Sequence, residues 1–165
     1  MIAIIADTHM PRGARRLPDR CAALIREAEA VIHAGDFWAL SAFAELKALN
    51  PRLHAVWGNV DEPALGSLLA ETARVGLGDG RSLAVVHDAG PAKGRLERLR
   101  RRFPAADAVV FGHSHMPLLE AGEGELRGFQ IFNPGSPTER RRAPRPSMGL
   151  LDVGPSGLEF SHVWF

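Results

Sequence analysis

Short apolar runs alternate with stretches of helical periodicity through the first part of the chain. Ile2–Ala6, Ala30–Ala34 and Leu53–Trp57 have strand length and β-branched content. Between them, Leu17–Ala30 places Leu17, Cys21, Leu24, Ile25 and Ala28 on one helical face, with Asp19 in its first turn. Leu40–Leu49 reads as a helix capped by Ser41 or begun just before it, and Asn50-Pro51 ends it. Pro63–Ala70 is a short helix with proline suited to its first turn. This strand–helix alternation predicts parallel strands joined by helical crossovers.

The texture then shifts. Thr72–Leu77 and Ser82–His87 read as strands joined by the turn Gly78-Asp79-Gly80. Gly94–Phe103 is a basic helix and Ala108–Phe111 a buried strand. From Leu118 onward come short β runs: Leu118–Ala121, Leu126–Phe132, Met148–Val153 and Leu158–Trp164. They predict a meander that packs as a second sheet on the first. The fold class is α/β with two sheets and helices outside.

Composition changes this picture little. A chain of 165 residues points to one domain, residues 1–165. The net charge of +1 gives no electrostatic reason for a nucleic-acid or membrane partner. Cys21 is the only cysteine, which excludes an intrachain disulfide and a cysteine-rich zinc site and favours a reducing, cytoplasmic setting. The N-terminal apolar run is too short for a signal segment and lacks a basic flank. No stretch approaches the roughly 20 apolar residues that span a bilayer.

The candidate chemistry lies where the predicted strands end. Asp7 and His9 form D-x-H, Asp36 follows Gly35, and Asn59 and Asp61 lie in G-N-x-D. His87 follows an apolar run, and His113 and His115 form G-H-x-H. Ligands of open α/β sheets sit beyond the carboxyl ends of the strands, so convergence would bring these groups to one rim. Asp7, Asp36, Asn59 and the four imidazoles of His9, His87, His113 and His115 suffice for two divalent cations. Asp36, isolated after a glycine, is the best bridge. Asp7, His9 and one later imidazole complete one ion; Asn59, His87 and the other imidazole complete the second. Two dications, two carboxylates and a bridging hydroxide leave a net +1, which favours a phosphate ester and its transition state. Imidazole and oxygen donors without thiolate suit manganese first, with zinc, iron, nickel or cobalt as alternatives.

The order D-x-H, G-D, G-N-x-D, lone His, G-H-x-H, then N-P-G-S at Asn133–Ser136, resembles the calcineurin-like metallophosphoesterases, particularly their small single-domain bacterial and archaeal phosphodiesterases. The resemblance implies a four-layer α/β/β/α sandwich of two mixed sheets flanked by helices. It implies Asp7, His9, Asp36 and His115 on one metal and Asp36, Asn59, His87 and His113 on the other. It also implies in-line attack on phosphorus by a bridging hydroxide, with a small phosphoester as substrate.

Two positions depart from the family pattern. Many members read G-N-H-[DE], with a histidine that protonates the leaving group; here Val60 stands there, leaving Asp61 or water for that role. Asp88 follows His87 where relatives have H-G-H, and either orients His87 or reduces the positive surplus.

Other residues carry plainer expectations. His33 is a packed or supporting residue, and His54 and His162 are partly exposed strand residues. Arg95, Arg98, Arg100, Arg101 and Arg102 form the solvated side of a helix. One of Arg140, Arg141, Arg142 and Arg145 is a candidate phosphate contact, in a loop otherwise solvated. Phe37, Trp38, Trp57 and Met116 line a leaving-group pocket or pack the core.

The reading is a metal-dependent phosphoesterase, preferentially a phosphodiesterase. The alternative is a catalytically weak interaction scaffold like the retromer subunit that shares this fold, which retention of all seven ligands disfavours. A nuclease is disfavoured by the modest charge. Homo-oligomerisation stays open.

Overall fold

The computed structural model describes Met1–Phe165. Ten strands form two five-stranded sheets. The first comprises β1 (Ile2–Ile5), β2 (Ala30–His33), β3 (Leu53–Ala55), β9 (Ser147–Gly154) and β10 (Gly157–Trp164), in the order β10-β9-β1-β2-β3. The second comprises β4 (Thr72–Gly78), β5 (Arg81–Val86), β6 (Ala108–Val110), β7 (Leu118–Ala121) and β8 (Gln130–Asn133), in the order β4-β5-β6-β8-β7. β1, β2 and β3 pair in parallel, as do β5, β6 and β8; every other pairing is antiparallel.

Side-chain alternation along each strand creates three cores. Ile4, Ile32, Leu83, Val85, Val110, Phe132 and Leu151 meet between the sheets. The alternate residues Ala3, Ile5 and Val31 pack under α1 (Asp19–Glu27), α2 (Leu40–Leu49) and α3 (Pro63–Leu68) through Cys21, Ile25, Leu46 and Leu65. Ala84, Val109 and Ile131 pack under α4 (Arg95–Arg102) through Leu96 and Leu99. The layers therefore run α/β/β/α. Each such fully buried large side chain contributes roughly 1.5–3 kcal/mol. No helix is long and apolar enough to cross a membrane.

Two expectations need correction. The C-terminal strands do not all join the second sheet: β9 pairs with β1, and β10 extends that first sheet. Leu126–Phe132 is not one strand, because Gly124–Leu126 forms a 3-10 turn and Gly128 takes φ +89, so pairing starts only at Gln130. Of the two starts open for α2, the helix takes the one just before Ser41: it begins at Leu40, whose amide donates to the Glu62 carboxylate. Asn50 ends that helix and donates from Nδ2 to the carbonyls of Ile25 (2.9 Å) and Ala28 (2.8 Å), satisfying the end of α1.

Candidate metal centre

The ends of β1, β2, β5 and β6 meet at one edge of the sandwich, and backbone bonds extend the ladders into the loops. Asp7 N–H donates to Gly35 O (2.9 Å), His9 N–H to Asp36 O (3.0 Å) and Gly112 N–H to His87 O (3.0 Å). His87 continues the alternation of Leu83 and Val85, so its ring points across to the other sheet. There Nδ1 donates to Ala34 O at 2.7 Å, leaving the Nε2 lone pair facing the site.

Two groups of side chains able to hold a metal ion result: Asp7, His9 and His115, and Asp36, His87 and His113. In the first, His9 Nε2 lies 3.2 Å from His115 Nε2, and His115 Nε2 lies 3.4 Å from Asp7 Oδ1. In the second, His87 Nε2 lies 3.3 Å from Asp36 Oδ2 and 3.3 Å from His113 Nδ1. Asn59 Oδ1 joins this group at 3.1 Å from His87 Nε2 and 3.0 Å from His113 Nδ1. Ligand atoms about 2.1 Å from one ion stand roughly 3.0–3.4 Å apart in octahedral or tetrahedral geometry. These spacings match, and the remaining pair of the first group, His9 Nε2 and Asp7 Oδ1, is wider at 3.9 Å. Asp36 Oδ2 is also 3.7 Å from His9 Nε2, so one carboxylate oxygen faces both groups.

The donor chemistry fits divalent cations. Asp7 is fully buried, its Oδ2 has no hydrogen-bond partner, and His9 Nδ1 is likewise orphaned. Burial, only partly offset by the His87 charge, pushes the Asp7 carboxyl up to about 8. Burial lowers His115 to about 4 and also lowers His9, so both imidazoles are neutral and able to donate to a metal at pH 7. For Asp36, burial is outweighed by the His87 hydrogen bond and charge, and its pKa is lowered. For His87, burial is outweighed by the Asp36 hydrogen bond and the Asp7 charge, and its pKa is raised.

The loops are strained where they carry ligands. Asp7 (φ 56), His9 (φ 45), Asp36 (φ 62), His113 (φ 67) and His115 (φ 56) all take left-handed backbone. That conformation costs about 1 kcal/mol or more per non-glycine residue and persists only where surroundings impose it. The glycines before Asp36, Asn59 and His113 have a steric cause. A Cβ at Gly35 would lie 2.7 Å from His87 Nδ1, and one at Gly112 would lie 2.9 Å from Asp7 Oδ2. A Cβ at Gly58 would collide with the Asp36 backbone and carboxylate.

The remaining sequence candidates fall in varied places. Both oxygens of Asp61 are held by backbone amides: Oδ1 accepts from Trp38 N–H (2.8 Å) and Oδ2 from Gly58 N–H (2.8 Å). It clamps two ligand loops together. Val60 lends its amide to Asp36 Oδ1 at 3.1 Å. Asp88 accepts from Gly90 N–H (2.7 Å) in its own turn, while Ala34 orients His87. His33 is buried, bonded to Thr8 Oγ1 (3.1 Å) and stacked on Phe37 at 3.5 Å, which removes Phe37 from any pocket. His54 is exposed, and half-buried His162 donates to Asn133 O (2.8 Å).

The helix arginines are less solvated than expected. Arg98 donates to the carbonyls of Ala89 and Pro91 at 2.8 and 2.7 Å, Arg100 to Ala106 O at 2.8 Å, and Arg95 stands 5.0 Å from the Phe111 ring centroid. Of the five, only Arg101 and Arg102 are exposed.

Supporting contacts come from the N-P-G-S stretch and from Thr138 and Glu139 just after it, which the sequence did not single out. Ser136 Oγ donates to Asp7 O (2.8 Å), Thr138 Oγ1 to Thr8 O (2.8 Å), and Asn133 Nδ2 to Gly112 O (2.8 Å). The N-P-G-S stretch therefore ties down two ligand loops. Glu139 holds His115, with its carbonyl 3.4 Å and its carboxylate 3.8 Å from Nδ1, and is itself paired with Arg15 at 3.1 Å. Arg141 donates to His113 O at 3.3 Å.

Two facing sheets with histidine and carboxylate loops at one end are the frame of a metal-dependent phosphoester hydrolase. The chain belongs to the calcineurin-like phosphoesterase superfamily, whose domain model matches residues 1–155. It is similar to a probable metallophosphoesterase of Methanothermobacter thermautotrophicus, 30% identical over 96% of this chain and 89% of the relative. A probable metallophosphoesterase of Methanocaldococcus jannaschii is 31% identical over 93% of this chain and 76% of its own length. The same fold occurs in vacuolar protein sorting 29 from Cryptosporidium parvum (TM-score 0.77, 21% identity, 99% of this chain and 96% of that one). It also occurs in an archaeal phosphodiesterase (TM-score 0.72, 23% identity, 99% of both chains).

Proposed function

We propose that this chain, as one domain spanning residues 1–165, is a phosphodiesterase built on two divalent ions, manganese first among them. The observation that carries the reading is Asp36 Oδ2, 3.3 Å from His87 Nε2 and 3.7 Å from His9 Nε2, one oxygen available to both ligand groups. Asp7, His9 and His115 would hold one ion, and Asn59, His87 and His113 the other. When bound, the pair supplies a hydroxide nucleophile at neutral pH and offsets charge growing on the phosphoryl oxygens.

The chain's own groups supply the rest. Asn59 and His113 are exposed while the other five ligands are buried, so a phosphoester approaches over these two. With Asn59 Oδ1 turned inward, Nδ2 is left to donate to a phosphoryl oxygen. Arg141, anchored on His113 O, adds positive charge at the rim. Asp61 positions the Asn59 and Trp38 loops rather than moving a proton, because backbone amides hold both its oxygens. With Val60 in place of an acid, leaving groups that depart without a proton from the protein are favoured. Buried Cys21 is in keeping with a cytoplasmic setting.

Hydrolysis of bis(4-nitrophenyl) phosphate by the manganese-loaded protein, compared with 4-nitrophenyl phosphate, tests the reading; faster monoester hydrolysis would reverse the diester assignment. The likeness to vacuolar protein sorting 29 and the Val60 position favour a second reading, an interaction scaffold. A metal-loaded protein inert toward every phosphoester would support it.

A further inference from the structure

Beside the second ligand group the surface opens into a cleft of about 190 Å³ whose lining includes the ligands Asn59 and His87. Trp57, Glu71, Asp88 and Arg102 also line it, and no step described above uses any of them. We propose that this cleft is a substrate subsite that takes one flat heteroaromatic ring system bearing N–H donors, of the nucleobase class, attached to the phosphoester held at the ligand groups. The proposal rests on the phosphoesterase reading and specifies its substrate.

Three features select that occupant. The volume lies below the roughly 300–1,000 Å³ of clefts that enclose drug-sized ligands, so it suits a single base rather than a whole second nucleotide. Trp57, half-buried two residues beyond β3, supplies an aromatic face for stacking, which accepts any planar ring. The rim carries two carboxylates against one guanidinium. Asp88 uses Oδ1 on Gly90 N–H and both residues are exposed, so carboxylate oxygens remain at the rim to accept from ring or exocyclic N–H groups. The same negative balance disfavours a second phosphate or an acidic substituent. Position completes the case: because Asn59 and His87 belong to both the ligand group and the cleft, a phosphoryl group at the first lies within one ester arm of the second.

The test uses calorimetric binding to the manganese-loaded full chain of three phosphonates that cannot be hydrolysed: methylphosphonate, phenylphosphonate and an adenine-bearing alkylphosphonate. The adenine compound is expected to bind at least about tenfold tighter than methylphosphonate, within the range of one base–aromatic stack, with phenylphosphonate between them. Trp57→Ala should abolish that advantage without changing methylphosphonate affinity, and Trp57→Phe should retain most of it. Equal affinities in the unaltered protein, or an advantage that Trp57→Ala keeps, would overturn the subsite. Phenyl and adenine compounds binding equally would overturn the role of Glu71 and Asp88. Because binding is read without turnover, an inert protein that still prefers the ring would sink the phosphoesterase reading alone.

Discussion

His87 donates from Nδ1 to the carbonyl of Ala34 at 2.7 Å, and that contact between the two sheets decides which imidazole nitrogen faces the site. Gly35, the next residue, has φ +88 and leaves no room for a side chain against the ring. Gly35→Ala should therefore push His87 out of place and lower metal content from about two ions per chain toward one. Hydrolysis should fall about 10–100-fold, as for other changes to groups that orient ligands. Elemental analysis beside a rate assay checks it; unchanged metal content would show that His87 tolerates the shift.

Asp61 distinguishes positioning from proton transfer. Asp61→Ala leaves the amides of Gly58 and Trp38 without partners, at a cost of about 1–3 kcal/mol each if they stay dry. The expected result is a lower Tm and a similar rate loss for esters with good and poor leaving groups. A loss confined to poor leaving groups would make Asp61 the proton donor instead.

Metal-free protein should become less stable as pH rises from about 6.5 to 8. Burial raises the folded pKa of Asp7 from 3.8 to about 8, so across that interval the folded state holds a proton the unfolded state has released. His87 is raised from 6.5 by the Asp36 hydrogen bond over the opposing effect of burial, so its stabilisation is also lost as pH rises through its folded pKa. His9, His33 and His115 are lowered by burial and act oppositely, but below their unfolded value of 6.5. Tm measured in chelator across this range should fall, and manganese should raise Tm more at pH 8 than at pH 6. A flat profile would contradict the proton count.

Arg141→Ala should raise KM for phosphodiesters by about tenfold with little change in kcat or metal content, the pattern of lost uniform binding. Steady-state kinetics with elemental analysis separates this from a metal defect, which would lower kcat.

Much of this molecule was legible in its sequence because strands and ligands are local signals. Ile2–Ala6, Ala30–Ala34 and Ser82–His87 read as apolar runs, and each was seen to end at a metal-capable residue. The return of β9 to β1 was not legible, since Ile4 pairs with Gly149 across most of the chain and no local pattern encodes that choice. Arg98 was misread for a related reason: helical spacing placed it on the outer face, but its long side chain folds back to loop carbonyls. The left-handed backbone at Asp7, His9, Asp36, His113 and His115 leaves no trace in residue type, because function rather than conformational preference selects those side chains. Ser136 was visible as part of N-P-G-S, but its role was not, and Thr138 was missed altogether, because their hydroxyls act on backbone carbonyls of Asp7 and Thr8, far away in sequence.

The central claim is that Asp36 joins two ions into one working centre. Its most direct test is metal stoichiometry and bis(4-nitrophenyl) phosphate hydrolysis measured on the same preparations of unaltered protein and Asp36→Asn. The unaltered protein should take up about two manganese ions per chain and turn over the diester. Asp36→Asn should lose at least one ion and at least about 10³-fold in rate, as expected when charge-stabilising groups are removed. An unaltered protein saturating at one ion, or an Asp36→Asn protein that keeps full rate, would contradict it.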